Sequence, residues 1–249
     1  MIADYDSTDG LEQDPTRGVI DRDALDNFFL ERYSAEAFMN MMSNMFNDIY
    51  SSDAGVREGY TVGEHTEMVL EQFDKYFSDE QLPGGLDTNF FRLIIGLHDI
   101  GKPQAIAGGD KHTQQHYNAD FAARVLEDLG YEQEDVNIAH ALLSSDLVGS
   151  YIKTTSMGEV DLGNYSEQAR ELASGLTITT AEYLDLLVIL HMSDASSYTE
   201  DADSDYVYDE SNRSLAFLFD LEETGKRFKY SKEIELKINL FRRATLDNE

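Results

Sequence analysis

The sequence predicts an all-α fold: a single helical domain of about nine helices, with a C-terminal stretch that a small β-hairpin would also suit. Three observations carry this. Apolar residues recur at three- and four-residue spacing along most of the chain. Capping residues and glycine or proline stops punctuate these runs at helical lengths. Finally, 249 residues with 41% hydrophobic and 11% aromatic content suffice to fill one large core, which excludes an intrinsically disordered body.

The elements follow in order. Residues 1–22 are polar and acid-rich, carry Gly10, Pro15 and Gly18, and read as a flexible acidic leader. Residues 23–60 form an N-terminal helical extension. Its apolar positions Leu25, Phe28, Phe29, Tyr33, Phe38, Met41, Met42, Met45, Phe46 and Ile49 suit an amphipathic helix pair, with the methionines as core filling. Thr61 and Glu64 have capping-box spacing and open a helix to Phe77 with His65, Met68, Val69, Gln72, Phe73 and Tyr76 on one face. Pro83, Gly84 and Gly85 break the chain. A second helix runs from about Asp87 through His98, with Gly101 and Pro103 stopping it.

A glycine-rich loop, residues 107–111, leads to a helix from about Thr113 to Leu129 closed by Gly130. Another follows from about Asp135 to Ser145, with His140 in its middle. Residues 146–165 are weakly patterned, and a loop of that length suits a lid or a specificity loop. A short helix is expected over Ser166–Ser174. A strongly apolar one spans Thr180–Ser196, with Leu184, Leu187, Val188, His191 and Asp194 on one side. Residues 61–198 form the core and 199–249 an extension packed on it. Within that extension Glu200–Glu210 is dense in acids, and Ser231–Leu246 is ambiguous. Ile234, Leu236, Ile238 and Leu240 alternate as in a strand, whereas Ile234, Ile238 and Phe241 suit a helix.

Composition narrows function. The 49 acidic and 19 basic residues leave a net charge of -30, which repels nucleic acid and anionic membranes. No Lys/Arg stripe interleaved with aromatics offsets it, so sequence-specific nucleic-acid binding and membrane binding are not expected. Seven of the basic residues fall in 225–249, which suits a C-terminal element salt-bridged onto an acidic body. The first nine residues carry three acids, no basic residue and no apolar run, and no long apolar run follows. This reads as a cytoplasmic protein whose oligomeric state is left open. The absence of cysteine removes disulfides, zinc ribbons and iron–sulfur sites, so any metal must be held by histidine and carboxylates.

There are six histidines: His65, His98, His112, His116, His140 and His191. A single histidine on an apolar helix face is usually a satisfied core residue. Four on such faces, with Asp99 beside His98 and Asp194 on an apolar helix, are costly to bury unless paired or metal-bound. Such a set can hold Mn, Fe, Mg, Ni or Zn while leaving positions open to water.

The order His65, His98-Asp99, Asp194 resembles the signature of the HD-domain superfamily of metal-dependent phosphohydrolases. The string Leu97-His98-Asp99-Ile100-Gly101-Lys102-Pro103 is similar to its central HD-x-G-K motif. The resemblance covers about residues 60–198. It implies two divalent metal ions, the first held by His65, His98, Asp99 and Asp194, the second by Asp99, His116 and His140. Neighbouring residues of a regular helix point about 100° apart, so His98 and Asp99 converge on one ion only where the helix is ending. His112 competes with His116 but precedes the expected helix start at Thr113. His191 shares a face with Asp194 and reads as core packing in preference to support of a ligand.

The resemblance further implies hydrolysis of a phosphoester of a small nucleotide or cyclic nucleotide, by a water bridging the ions. Asp99 and Lys102 would be catalytic, and Lys102 and Lys111 would contact substrate phosphate. Lys102 reads equally as a cation at a helix C-terminus. The Gly-Tyr-Pro signature of the cyclic-dinucleotide branch is absent. Two other expectations stand beside this one: a diiron oxygenase of the same superfamily acting on a small hydroxylated substrate, and an acidic non-enzymatic binding or decoy protein.

Overall fold

Helix starts are encoded in this chain by side chains that accept hydrogen bonds from the first turn, and these caps set the element order. The computed structural model describes residues 21–55, 59–109, 113–156, 161–197, 219–220 and 229–247. Its helices are α1 (Arg22–Glu31), α2 (Ala35–Met45), α3 (Asn47–Tyr50), α4 (Val62–Tyr76), α5 (Thr88–Leu97), α6 (Lys102–Ala107), α7 (Gln114–Asp128), α8 (Gln133–Leu143), α9 (Leu147–Ser156), α10 (Leu162–Ala173), α11 (Thr180–Ser196) and α12 (Lys232–Leu246). A 3-10 turn, Pro83–Gly85, precedes α5. Two short antiparallel strands, β1 (Phe219–Asp220) and β2 (Lys229–Tyr230), pair Phe219 with Tyr230. The fold is therefore all-α, with the strand pair as an accessory.

Asp21, Ser34, Asp87 and Ser231 each cap the following helix. Thr61 with Glu64 and Thr179 with Glu182 form full capping boxes. The cap at Ser231 decides the ambiguous C-terminal stretch as a helix. In that geometry Ile234, Ile238, Phe241 and Thr245 turn inward, while Leu236 and Leu240 face solvent.

Residues 146–165 differ from the loop that the sequence suggests, because α9 occupies most of them. Asp146 accepts a hydrogen bond from the Gly149 amide at 3.0 Å, and Leu147, Val148, Tyr151 and Ile152 are buried. Gly149 and the Thr and Ser residues near its end lower the intrinsic helix propensity, so packing makes this helix. α6 is also additional to the expected set, and α10 begins at Leu162, capped by Asp161, a turn earlier than expected.

α11 is buried on several sides, through Tyr183, Leu184, Leu186, Leu187 and Met192, and not along one stripe. It packs against α4, α9, α10 and α12, while α4 also meets α2 and α5, and α7 pairs with α8. Buried side chains from Leu25 in α1 to Phe241 in α12 join one core, so both extensions belong to a single domain. At the N-terminal side, Phe38 of α2 lies where a Cβ on Gly96 would come within 2.6 Å, and the Tyr50 hydroxyl donates to the Gly96 carbonyl at 2.7 Å. At the other side Arg242 pairs with Asp185 of α11, and Arg170 donates to the Ala244 and Thr245 carbonyls at the end of α12. The leader through residue 20 and the acid-dense stretch 200–210 lie outside the described residues. Among the described residues no helix is long and apolar enough to cross a membrane.

Candidate metal centre

Three chain segments converge at the centre of the helical array. The capping box at Thr61 fixes the first turn of α4 and aims His65 inward, where only 2% of it is exposed. α5 ends at Leu97, and His98, Ile100 and Lys102 then donate to the carbonyls of Ile95, Leu97 and Asp99. These are three-residue turns, tighter than an α-helix, and they carry His98 and Asp99 out of helical register before α6 opens. The last turn of α11 supplies Asp194.

Gly101 sets the depth of this turn. A Cβ there would sit 2.5 Å from the backbone carbon and Cβ of Tyr117 and 2.6 Å from the Asn118 nitrogen, so the turn lies directly on the α7 backbone. Its amide donates to Asn118 Oδ1 at 2.8 Å in a buried bond.

The ligand atoms of His65, His98 and Asp194 all lie within 4.8 Å of one another. His65 Nε2 is 3.0 Å from Asp194 Oδ1 and 3.8 Å from Asp99 Oδ2, and His98 Nε2 is 3.7 Å from the same Asp99 oxygen. His98 Nδ1 lies 2.7 Å from the Ile95 carbonyl. A carbonyl can only accept, so Nδ1 carries the proton and Nε2 is the nitrogen left to meet a ligand. That nitrogen is buried with no hydrogen-bond partner. The donor set thus fits a divalent cation: two imidazole nitrogens and a carboxylate close together, one nitrogen otherwise unsatisfied, and Asp99 alongside.

Electrostatics tie the group together. Burial works to lower the His65 pKa, but the hydrogen bond and charge of Asp194, with the charge of Asp99, outweigh it and raise the ring above its ordinary 6.5. Burial pushes the Asp99 carboxyl up, and His98, Lys102 and His65 together hold it below its ordinary 3.8. Asp194 keeps 44% of its side chain open at one edge. The packed protein around it raises its carboxyl, but the His65 hydrogen bond and the charges of His65, His98 and His191 bring it well below the usual range.

Lys102 is the first residue of α6, where the helix dipole disfavours a cation, and not the terminal cation of α5. Its Nζ is 2.9 Å from Asp99 Oδ2, while Gln114 Nε2 donates to Asp99 Oδ1 at 2.8 Å, so both carboxylate oxygens are held. A cavity of about 140 Å³ opens beside the ligands and is lined by His98, Asp99, Gln114, Asp146, His191 and Asp194, among others. A cavity near this size holds a benzene-sized ligand, so the space suits a group of a few heavy atoms.

His116 and His140 lie apart from this ligand group. His116 is 73% exposed and its Nε2 is 3.3 Å from Asp120 Oδ2. His140 Nε2 is 3.5 Å from the other oxygen of the same carboxylate. Helix geometry gives the reason. Gln114 and Asn118, the α7 side chains that meet the Asp99 turn, are each two residues from His116, about 200° around the helix. Lys111 and His112 lie outside the described residues. His191 borders the cavity with Asp194, and burial pulls its pKa down to about 4.

Sequence reasoning passed over Gln114, Asn118 and Asp120. Amides and carboxylates are too common to stand out, but Asn118 falls in phase with the apolar stripe of Phe121, Ala122 and Val125, and a polar residue in that register was a usable signal. No family model, curated protein or solved structure matches the chain.

Proposed function

We propose that the protein is a metal-dependent phosphohydrolase of the HD-domain type, acting on a compact phosphoester such as that of a small nucleotide or cyclic nucleotide. One observation carries the reading: the buried, unpartnered His98 Nε2 within 4.8 Å of ligand atoms from His65 and Asp194. A lone pair left there without a donor is costly, and a bound cation removes the cost. His65, His98 and Asp194, with Asp99 beside them, would hold one divalent ion, which would supply Lewis acidity and a water of lowered pKa.

The chain's own residues do the remainder. Lys102 and Gln114 fix the orientation of Asp99, and Lys102 joins His98 and His65 in favouring its ionised form. With Asp99 and Asp194 balancing the ion, Lys102 leaves about one positive charge in the centre of a protein whose net charge is -30. An anionic group is favoured there and disfavoured elsewhere on the surface. The cavity size admits the phosphoryl group and leaves the bulk of a nucleotide over the rim made by α7 and α9.

Elemental analysis of gently purified protein, with hydrolysis of p-nitrophenyl phosphate and its bis-ester, tests the reading. About one divalent ion per chain and turnover that disappears in Asp99→Ala are expected; full metal content and full turnover in that variant would end it.

The diiron oxygenase reading draws on a different observation. Among the described residues the cavity wall holds no lysine or arginine, only amides, hydroxyl, imidazole, carboxylates and apolar groups, which suits a neutral hydroxylated substrate. It requires a second iron, whereas His116 and His140 converge on Asp120. Two irons per chain with substrate-dependent oxygen uptake would decide for it.

A further inference from the structure

His191 stands one helical turn before Asp194 on α11 and borders the same cavity as His98, Asp99 and Asp194. Its Nδ1 lies 2.7 Å from the hydroxyl of Tyr230 in β2, and the two rings are 5.9 Å apart. Tyr230 belongs to the C-terminal extension, beyond the stretch that carries the ligands. It is buried, and α12, which follows it directly, is pinned to α11 through Arg242 and Asp185. The imidazole is therefore held by an element that contributes no ligand to the centre.

A histidine serving only as core would have its polar atoms satisfied among packed side chains. This one has one nitrogen satisfied by Tyr230 while the ring borders a cavity walled by carboxylates and amides as well as apolar side chains. In either tautomer, the hydroxyl occupies Nδ1 and leaves Nε2 as the nitrogen able to meet a ligand. We infer that His191 contacts the substrate, with Nε2 hydrogen-bonded to a phosphoryl or ester oxygen, and that Tyr230 is a positioning residue that sets the ring. This rests on the phosphohydrolase reading. It gives the C-terminal extension a part in recognition, since displacing Tyr230 releases the ring from its fixed orientation.

The test uses the full chain loaded with Mn²⁺ and inorganic phosphate as the probe, with both affinities measured by calorimetry. His191→Leu is expected to weaken phosphate binding about tenfold or more, as loss of a hydrogen bond to a charged group does. His191→Gln, whose amide reaches the Nε2 position, stays within about threefold of the parent, and Tyr230→Phe weakens binding about three- to tenfold. Mn²⁺ affinity changes by less than about twofold in all three. With p-nitrophenyl phosphate, KM rises in Tyr230→Phe more than kcat falls.

Unchanged phosphate affinity in His191→Leu and Tyr230→Phe, with only a lower Tm, would overturn the inference. So would a loss of phosphate binding matched by an equal loss of Mn²⁺ binding, because the ring would then serve Asp194. If His191→Leu does not fold, Tyr230→Phe, which removes a single hydroxyl, decides by the same criteria. A Mn²⁺-loaded parent protein that neither binds phosphate nor cleaves the ester would instead refute the phosphohydrolase reading itself.

Discussion

Replacing Gly101 with alanine probes how the fold sets the candidate site. Gly101 has φ -89° and ψ 0°, a conformation open to any residue, so the change introduces no backbone strain of its own. The obstacle is space. The new methyl would lie 2.5 Å from two atoms of Tyr117 and 2.6 Å from the Asn118 nitrogen, about 1 Å inside ordinary carbon contact. Two of those atoms are helix backbone, which cannot rotate away, so the turn must lift from α7.

Lifting it overpacks a tight contact at about 1–3 kcal/mol and stretches the buried Gly101–Asn118 hydrogen bond at about 0.5–1.5 kcal/mol. Reduced freedom of the unfolded chain returns about 0.4–1 kcal/mol, so the net loss is about 0.5–4 kcal/mol, with a centre of about 2 kcal/mol. For a chain of this size that lowers Tm by roughly 2–15 °C. Thermal unfolding of chelator-treated protein measures it. Gly163→Ala is the control: its nearest neighbour would be 3.9 Å away in the first turn of α10, and its Tm should hold or rise. Because the turn carries His98 and Asp99, Gly101→Ala should also weaken Mn²⁺ binding. A Tm within about 1 °C of the parent would refute the packing argument.

Five further outcomes are expected. His116→Ala and His140→Ala should keep the metal stoichiometry of the parent, because both rings converge on Asp120; loss of one ion in either would restore the two-metal arrangement. Mn²⁺ uptake below the raised pKa of His65 should release a proton from that ring, with affinity rising about tenfold per pH unit there, as calorimetry in buffers of different ionisation enthalpy would detect. In chelated protein the His65 contribution to stability is complete below pH 6.5 and fades as pH rises through the folded value, whereas those of Asp99 and Asp194 are complete above 3.8 and fade as pH falls below it. His191 has the opposite sign to His65: with a folded pKa of about 4 against 6.5, it costs up to about 3 kcal/mol as pH falls between those values, and His191→Gln should flatten that part of an acid-unfolding curve. Activity on anionic esters should rise from low to moderate salt as the -30 charge is screened; a steady fall would count against long-range repulsion as a control on substrate access.

Much of the fold was legible along the chain, because caps and apolar spacing are local. Thr61 and Glu64, Asp87, Thr179 and Glu182 mark the starts of the helices that carry His65, the approach to His98, and Asp194. α9 was less legible, since Gly149 and its polar end weaken a local signal that burial of Tyr151 and Ile152 overrides.

At the candidate site the same division holds. The residue types and their order pointed to His65, His98, Asp99, His116, His140 and Asp194 as possible ligands, since charge and lone pairs on apolar faces must be satisfied wherever the helices go. Only the tertiary structure decided which of them meet. Rotation about α7 places Gln114 and Asn118 against the Asp99 turn and sends His116 to Asp120, and Tyr230 arrives at His191 from the far end of the chain. Periodicity reports which face of a helix is buried. Which partner that face meets depends on how the helices pack, and packing is a property of the whole core.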